Sequence, residues 1–269
     1  MERQPSVPGG SLLFAWVRRL DIRFNMMQLE IRKIASSEYK LKEAINTLCT
    51  NLLLYDDDAK VIMVTSCFPQ EGKSTVSFEL TRTIGDLGKR VLLIDADIRA
   101  SCLMEEYDIN MAPGSKTPFR GLSRYLSGGC NAEEIIGETN LKNVSMILGG
   151  RNVINSLPLL SSDRMGALMN IVKGMYDIII VDTPPIGTII DAAKIARHCD
   201  GALLVVKSGK LKRKEFAEAM KQMERTGCPI FGTVLNAYAE EEKGSREYYR
   251  EYYSPLEEEE EPKKRKSKK

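Results

Sequence analysis

Six short apolar runs punctuate the chain: VIMVT (61–65), VLLID (91–95), VSMIL (144–148), IIIVD (178–182), ALLVV (202–206) and IFGTVLN (230–236). They are apolar almost throughout and do not alternate with polar residues, as expected of strands whose sheet is covered by helices on both faces. Helical patterns separate most of them, and alternation of strand and helix builds a parallel sheet. The expected fold is therefore α/β, a mostly parallel β-sheet with helices on both faces. With 269 residues and 43% hydrophobic composition, the chain can bury the core that such a sheet needs.

Composition also sets the domain limits. Leu41, Ile45, Leu48 and Leu52 recur at helical spacing and predict a helix over 38–54 that leads into the first strand. Residues 1–36 form an N-terminal extension in which Leu13, Trp16, Leu20 and Phe24 make one helical stripe beside Arg18, Arg19 and Arg23. That stripe fits either a helix docked on its own domain or one lying at a membrane surface. The main domain is expected over 37–237. From 238 to 269 the sequence carries almost no aliphatic residues, which predicts a disordered tail. Its closing KKRKSKK is preceded by EEEEE, so a solvated tail is a better reading than a lipid anchor. No apolar run is long enough to span a bilayer, and SLLFAWVRRL (11–20) is too short for a signal peptide. Six cysteines without CxxC pairs and a single histidine, His198, suggest neither a disulfide framework nor a zinc site, so a cytoplasmic protein is expected. A net charge of +2 gives no reason to expect a nucleic-acid partner.

Within this frame, SCFPQEGKST (66–75) ends in the GKS of a phosphate-binding loop, although Cys67 occupies the place of the first glycine. Such a loop curls consecutive backbone N–H groups around an anion at a helix N-terminus, with a lysine reaching the outer phosphates. Gly72, Lys73, Ser74 and Thr75 supply that part of the device, and a strand before and a helix after give it the required context. Asp95, Asp97 and Asp182 stand at the carboxyl ends of two further strands, the edge at which open parallel sheets bind ligands. Magnesium prefers hard oxygen ligands, which the Ser74 hydroxyl and one or two of these carboxylates would provide. Taken singly, each aspartate also reads as a helix cap or turn former. His198, near a predicted helix C-terminus, reads as a cap.

The phrases VTSCFPQEGKST, LLIDADIR and IIIVDTPPIG resemble, in order, the first Walker motif, the additional Walker motif and the Walker B motif of the bacterial tyrosine kinases (BY-kinases) of capsular and exopolysaccharide synthesis. GLSRYLSGG, LPLLSSDRM and FGTVLNAY lie at the places this resemblance requires, and it extends over residues 38–236. Gln70 stands where the family usually has glycine. The resemblance implies a P-loop NTPase-like fold and an ATP- and Mg2+-dependent protein-tyrosine kinase acting in capsular or exopolysaccharide synthesis or export. In that reading Lys73 faces the outer phosphates and Ser74 binds magnesium, with Asp182 and Asp95 as further metal-side carboxylates. Asp95 would orient or deprotonate the tyrosine hydroxyl and Asp97 would support metal or base, and these two roles are interchangeable. Asn236 corresponds to a base-contacting asparagine or forms a turn. Five of the ten tyrosines fall in 238–269, and Tyr248, Tyr249, Tyr252 and Tyr253 form YYREYY, the phosphoacceptor cluster that neighbouring copies would modify.

Implied partners are a transmembrane activator or chain-length regulator that recruits the chain to the inner face of the plasma membrane, a cognate tyrosine phosphatase, and the chain itself in trans. In BY-kinases an ExxRxxR helix joins subunits into a ring; here Glu43 is followed by Asn46 and Cys49, so only weak homo-oligomers are expected, and restoring both arginines should strengthen them. Two alternatives are a nucleotide-responsive adaptor without enzymatic activity and an ATPase switch of the partition or septum-positioning type. Phe68 replaces the signature lysine of that last group.

Overall fold

The structure, a computed structural model, describes residues 26–34, 39–56, 58–115 and 117–238. The stripe from Leu13 to Phe24 and the tyrosines at 248, 249, 252 and 253 lie outside the described residues. In chain order the elements are β1 (Met27–Ile31), α1 (Tyr39–Tyr55), β2 (Val61–Ser66), α2 (Lys73–Asp86), β3 (Val91–Asp95), α3 (Leu103–Glu106), β4 (Ile109–Met111), α4 (Leu122–Leu126), β5 (Gly137–Thr139), β6 (Val144–Ile147), α5 (Leu157–Leu160), α6 (Asp163–Lys173), β7 (Ile178–Asp182), α7 (Asp191–Ala196), β8 (Gly201–Lys207), α8 (Arg213–Thr226) and β9 (Ile230–Asn236).

One sheet runs β4-β1-β5-β6-β3-β7-β2-β8-β9. The stretch from β6 to β9 is wholly parallel and consists of the six apolar runs of the sequence. Its alternate residues feed two cores. Ile62, Val64, Leu93, Ile180 and Leu203 pack with Cys49 and Leu52 of α1 and with Val76, Phe78, Leu80 and Ile84 of α2. On the other face, Val61, Leu92, Ile94, Ile179 and Val181 meet Leu122 and Leu126 of α4 and Met165, Leu168 and Val172 of α6. Met63, Ala202 and Leu204 meet Ala192 and Ala196 of α7 and Ala219 and Met223 of α8. Apolar residues along β2, β3, β7 and β8 are thus buried on both faces, as the uninterrupted runs require, whereas the edge strand β9 is only partly buried and leaves Leu235 exposed.

Three strands are additions to the sequence reading. β1 lies inside the stretch 1–36 set aside as an extension, and pairs antiparallel with β4 and parallel with β5. Its MQLEI has period two: Met27, Leu29 and Ile31 are buried and Gln28 is exposed. Gln28 donates to Glu138 across the β1–β5 pair (2.8 Å), and Asn140 exchanges two hydrogen bonds with the Ile31 backbone (2.9 and 3.0 Å), which fixes the register. Among the described residues no helix is long and apolar enough to cross a membrane.

Candidate active site

β2 ends at Ser66 and α2 begins at Lys73, so the intervening loop lies at the carboxyl edge of the parallel sheet. Its left-handed residues are Gln70 (φ 63°) and Gly72 (φ 88°), so the strain falls on Gln70, whereas Cys67 has no positive φ. Gly72 is required twice over: it is left-handed, and a Cβ there would lie 2.0 Å from Asn236 Nδ2. Glu71 is buried and braces the loop, its carboxylate accepting from Phe68 N (2.7 Å) and Lys207 N (3.4 Å), while Asn236 Nδ2 donates to its carbonyl (2.9 Å). Asn236 therefore buttresses the loop from the end of β9. The Cys67 thiol is buried, and burial with Glu71 and Glu215 nearby pushes it up to about 12, so it is no nucleophile. No side chain caps the N-terminus of α2, which leaves its first-turn N–H groups to an anion.

Lys73 reaches across to the strand ends. Its Nζ lies 3.2 Å from Asp97 Oδ2, 3.8 Å from Asp182 Oδ2 and 3.2 Å from Ser74 Oγ. Burial alone would pull the lysine down, but Asp182 and Asp97 outweigh it and hold the ammonium above its ordinary value. Ser77, one turn along α2, donates to Asp182 Oδ1 (3.3 Å). Asp95 and Asp182 are paired in register on β3 and β7, and burial followed by the charge of Asp182 raises Asp95 to about 7. Burial also raises Asp182, against the pull of Lys73. The Ser101 hydroxyl and Gly149 N (3.3 Å) donate to Asp95 Oδ2. Asp95 Oδ1 is buried with no hydrogen-bond partner among the described residues, which leaves one acceptor for an incoming proton donor or metal water. Among the described residues no three acidic, Cys or His side chains form a metal cage, so a cation here would rely on Ser74, a carboxylate and ligand oxygens, the pattern magnesium favours.

The expected residues Gly72, Lys73, Ser74, Asp95, Asp97, Asp182 and Asn236 thus converge. Thr75 points elsewhere, donating to Glu106 Oε1 (3.1 Å). His198 follows α7, and its N–H bonds to the Ile195 carbonyl (2.9 Å). The sequence alone does not single out Glu71, Ser77, Ser101 or Gly149; a signal for the last is the Gly149-Gly150 pair closing a strand, where only small residues let other groups approach. Nor did it predict the partner of Arg99 in LLIDADIR: Nε of Arg99 lies 2.7 Å from Asp191, and Nη1 donates to the Ile154 carbonyl (3.0 Å). Asp191 is fully buried and also receives the Ser156 hydroxyl, so the loop after β3 is tied to the start of α7.

The chain matches the AAA domain family over residues 59–221. It is 36% identical over 201 residues to the tyrosine-protein kinase CpsD of Streptococcus agalactiae serotype Ia, covering 75% of this chain and 84% of that protein. It is 33% identical over 196 residues to the tyrosine-protein kinase etk of Escherichia coli K12, covering 72% of this chain and 26% of that protein. The solved kinase domain of E. coli tyrosine kinase ETK superposes with a TM-score of 0.67 at 30% identity, covering 76% of this chain and 80% of that one. The septum site-determining protein MinD of Pyrococcus horikoshii, solved with Mg-ADP, shares the fold at a TM-score of 0.54 and 24% identity, covering 68% and 72%.

Proposed function

The chain belongs to the bacterial protein-tyrosine kinases, and from that premise we propose that it transfers the γ-phosphoryl group of ATP, with Mg2+, to Tyr248, Tyr249, Tyr252 and Tyr253 of a second copy. The observation that carries the reading is the Lys73 ammonium held between Asp97 and Asp182 at the mouth of the glycine loop, with Asp95 beside it. Bound Mg-ATP supplies the transferable phosphoryl group and a cation that draws off its negative charge. Lys73 and the free N–H groups of the first turn of α2 hold the outer phosphates. Ser74 and Asp182 hold the metal side. Asp97 is engaged by Lys73 and accepts from Ala100 N (3.2 Å), which suits a positioning role. Asp95, with its unpartnered oxygen and a pKa raised to about 7, suits the base that takes the phenol proton. Tyr107, Tyr125 and Tyr176 are buried in the folded domain and are poor acceptors, which favours the tail. The wider role is regulation of capsular or exopolysaccharide synthesis from the cytoplasmic face of the membrane, with a transmembrane activator recruiting the chain and a phosphatase resetting it.

Incubation with labelled ATP and Mg2+, followed by phosphotyrosine mapping, tests this. Label should concentrate in the YYREYY cluster, disappear in Lys73→Met and fall sharply in Asp95→Asn, with folding checked by circular dichroism. Undiminished label in Lys73→Met, or label chiefly at Tyr55 or Tyr107, would refute it.

A further inference from the structure

A concave pocket of about 550 Å3, lined by residues from 118–127 and 150–159, takes no part in the chemistry described above. Its lining includes the apolar Phe119, Val153 and Leu159 and the cationic Arg120, Arg124 and Arg151. One stretch of chain serves both places: Gly149 N bonds to Asp95, and Gly150 and Arg151, the next two residues, line the pocket. Leu122 N and Ser123 N bond to the carbonyls of Leu148 (2.8 Å) and Gly149 (3.0 Å), which fixes α4 against this strand exit. A Cβ on Gly121 would fall 2.4 Å from Gly150 Cα, so the two backbones are in contact. Arg120 is paired with Glu134, but Arg124 and Arg151 are exposed and pair with no carboxylate among the described residues. These two guanidinium groups, Arg124 donating its Nε to the Gly129 carbonyl (3.3 Å) and neither facing a carboxylate among the described residues, line the pocket together with apolar side chains and form a recognition surface for an acidic segment with an apolar residue.

We infer that this pocket docks the acidic C-terminal segment of a second copy of the chain and thereby selects the acceptor tyrosines. The inference rests on the proposed kinase function. Charge and spacing supply the match. Tyr252-Tyr253 is followed by Ser254-Pro255-Leu256 and then by Glu257–Glu261. Leu256 matches the apolar part of the lining and the glutamates match Arg124 and Arg151 in charge. Three residues, Ser254, Pro255 and Leu256, lie between Tyr253 and Glu257, so four chain steps, a reach of roughly 13 Å when extended, set how far from an acceptor tyrosine the glutamates can bind.

A fluorescein-labelled synthetic peptide of residues 246–261, titrated into the full chain and followed by anisotropy, tests docking without any need for catalysis. Arg124→Glu with Arg151→Glu should weaken binding by about tenfold, the size expected when two exposed charge pairs are reversed. The same pair of changes should raise KM for a Lys73→Met acceptor chain while leaving kcat within about twofold, because neither arginine touches the reacting atoms. A peptide with Glu257–Glu261 replaced by lysine should reverse the preference. Equal binding of a scrambled peptide of the same composition would make the pocket a general acidic-protein surface and overturn the tail assignment. Unaltered binding in the arginine variant, with tail phosphorylation intact, would refute the docking site alone. Intact peptide binding in a chain that labels no tyrosine would refute the kinase reading alone.

Discussion

Asp95 and Asp182 are register partners at the carboxyl ends of β3 and β7, each only 1% exposed. Two carboxylates buried side by side resist simultaneous ionisation, and the single ammonium of Lys73 lies nearer to Asp97 and Asp182. Asp95 is accordingly raised from 3.8 to about 7. A carboxyl whose folded pKa exceeds its unfolded one binds its proton more tightly when folded, so the folded state loses stability as pH rises from about 4 to about 7, and the whole penalty is present above that window. In nucleotide- and metal-free protein, Asp95→Asn should therefore be more stable than the parent above pH 7, by on the order of a few kcal/mol at most, with the difference vanishing near pH 4. Thermal melts across pH 4–9 measure this, and parallel curves for the two proteins would contradict it.

Gly72 and Asn236 give a second prediction. Any side chain at 72 must adopt φ near 88° and meet the Asn236 amide. Gly72→Ala should cost about 1–2 kcal/mol from the backbone alone and weaken binding of a fluorescent ATP analogue by at least about tenfold, because the loop must shift. Adding Asn236→Ala removes the collision but keeps the left-handed strain, so the double variant should recover only part of the loss. A single Gly72→Ala variant with parental affinity would show that the loop has no fixed shape before nucleotide arrives.

Most of the strands legible in the sequence are buried on both faces, as a run such as IIIVD requires, while β9 is legible from the same kind of run although its edge position leaves Leu235 exposed. β4 and β5 escaped because they are only three residues long, and β1 because its pairings, antiparallel with β4 and parallel with β5, join it to segments far along the chain. MQLEI carried its period of two openly, but the neighbouring Leu13–Phe24 spacing suggested a helical extension. The same contrast holds in the site. Lys73, Ser74, Asp95, Asp97 and Asp182 sit on strand ends or on the glycine loop, and local motifs place them. Ser101, Gly149 and Glu71 act through contacts that only the folded loops create, and Asp191 becomes a partner for Arg99 by tertiary approach alone.

Gln70 marks where this loop departs from its relatives. The family resemblance puts glycine at this position, and the structure gives Gln70 a φ of 63°, a conformation that costs a non-glycine residue about 1–2 kcal/mol. Gln70→Gly relieves that strain but returns about 0.5–1 kcal/mol of backbone entropy to the unfolded chain, so a net gain of roughly 0.5–1 kcal/mol is expected in urea unfolding. A destabilised variant would mean that the glutamine side chain holds the loop in a way its backbone angle does not reveal.

The assembly helix α1 requires a correction. The sequence reading placed Asn46 and Cys49 where ring-forming arginines stand in the family, and expected restoration of both to promote oligomers. Cys49 is 1% exposed and packs into the core with Leu52 and Phe78, whereas Leu41, expected on the buried stripe, is 42% exposed. The buried face of α1 therefore runs Ile45, Cys49, Leu52, and an arginine at 49 would carry its charge into an apolar core. Cys49→Arg should cost about 3–5 kcal/mol and yield poorly folded protein, since a buried charge without a partner is among the largest single penalties. Asn46 is only partly buried, and its amide already meets Glu43 Oε1 (3.3 Å), so Asn46→Arg would exchange that bond for an i,i+3 ion pair worth a few tenths of a kcal/mol. Asn46→Arg should accordingly fold like the parent, with light scattering showing little gain in mass because one arginine is occupied within its own helix. A soluble Cys49→Arg variant that melts at the parental temperature and forms larger particles would mean that α1 can turn this position outward in an assembled ring.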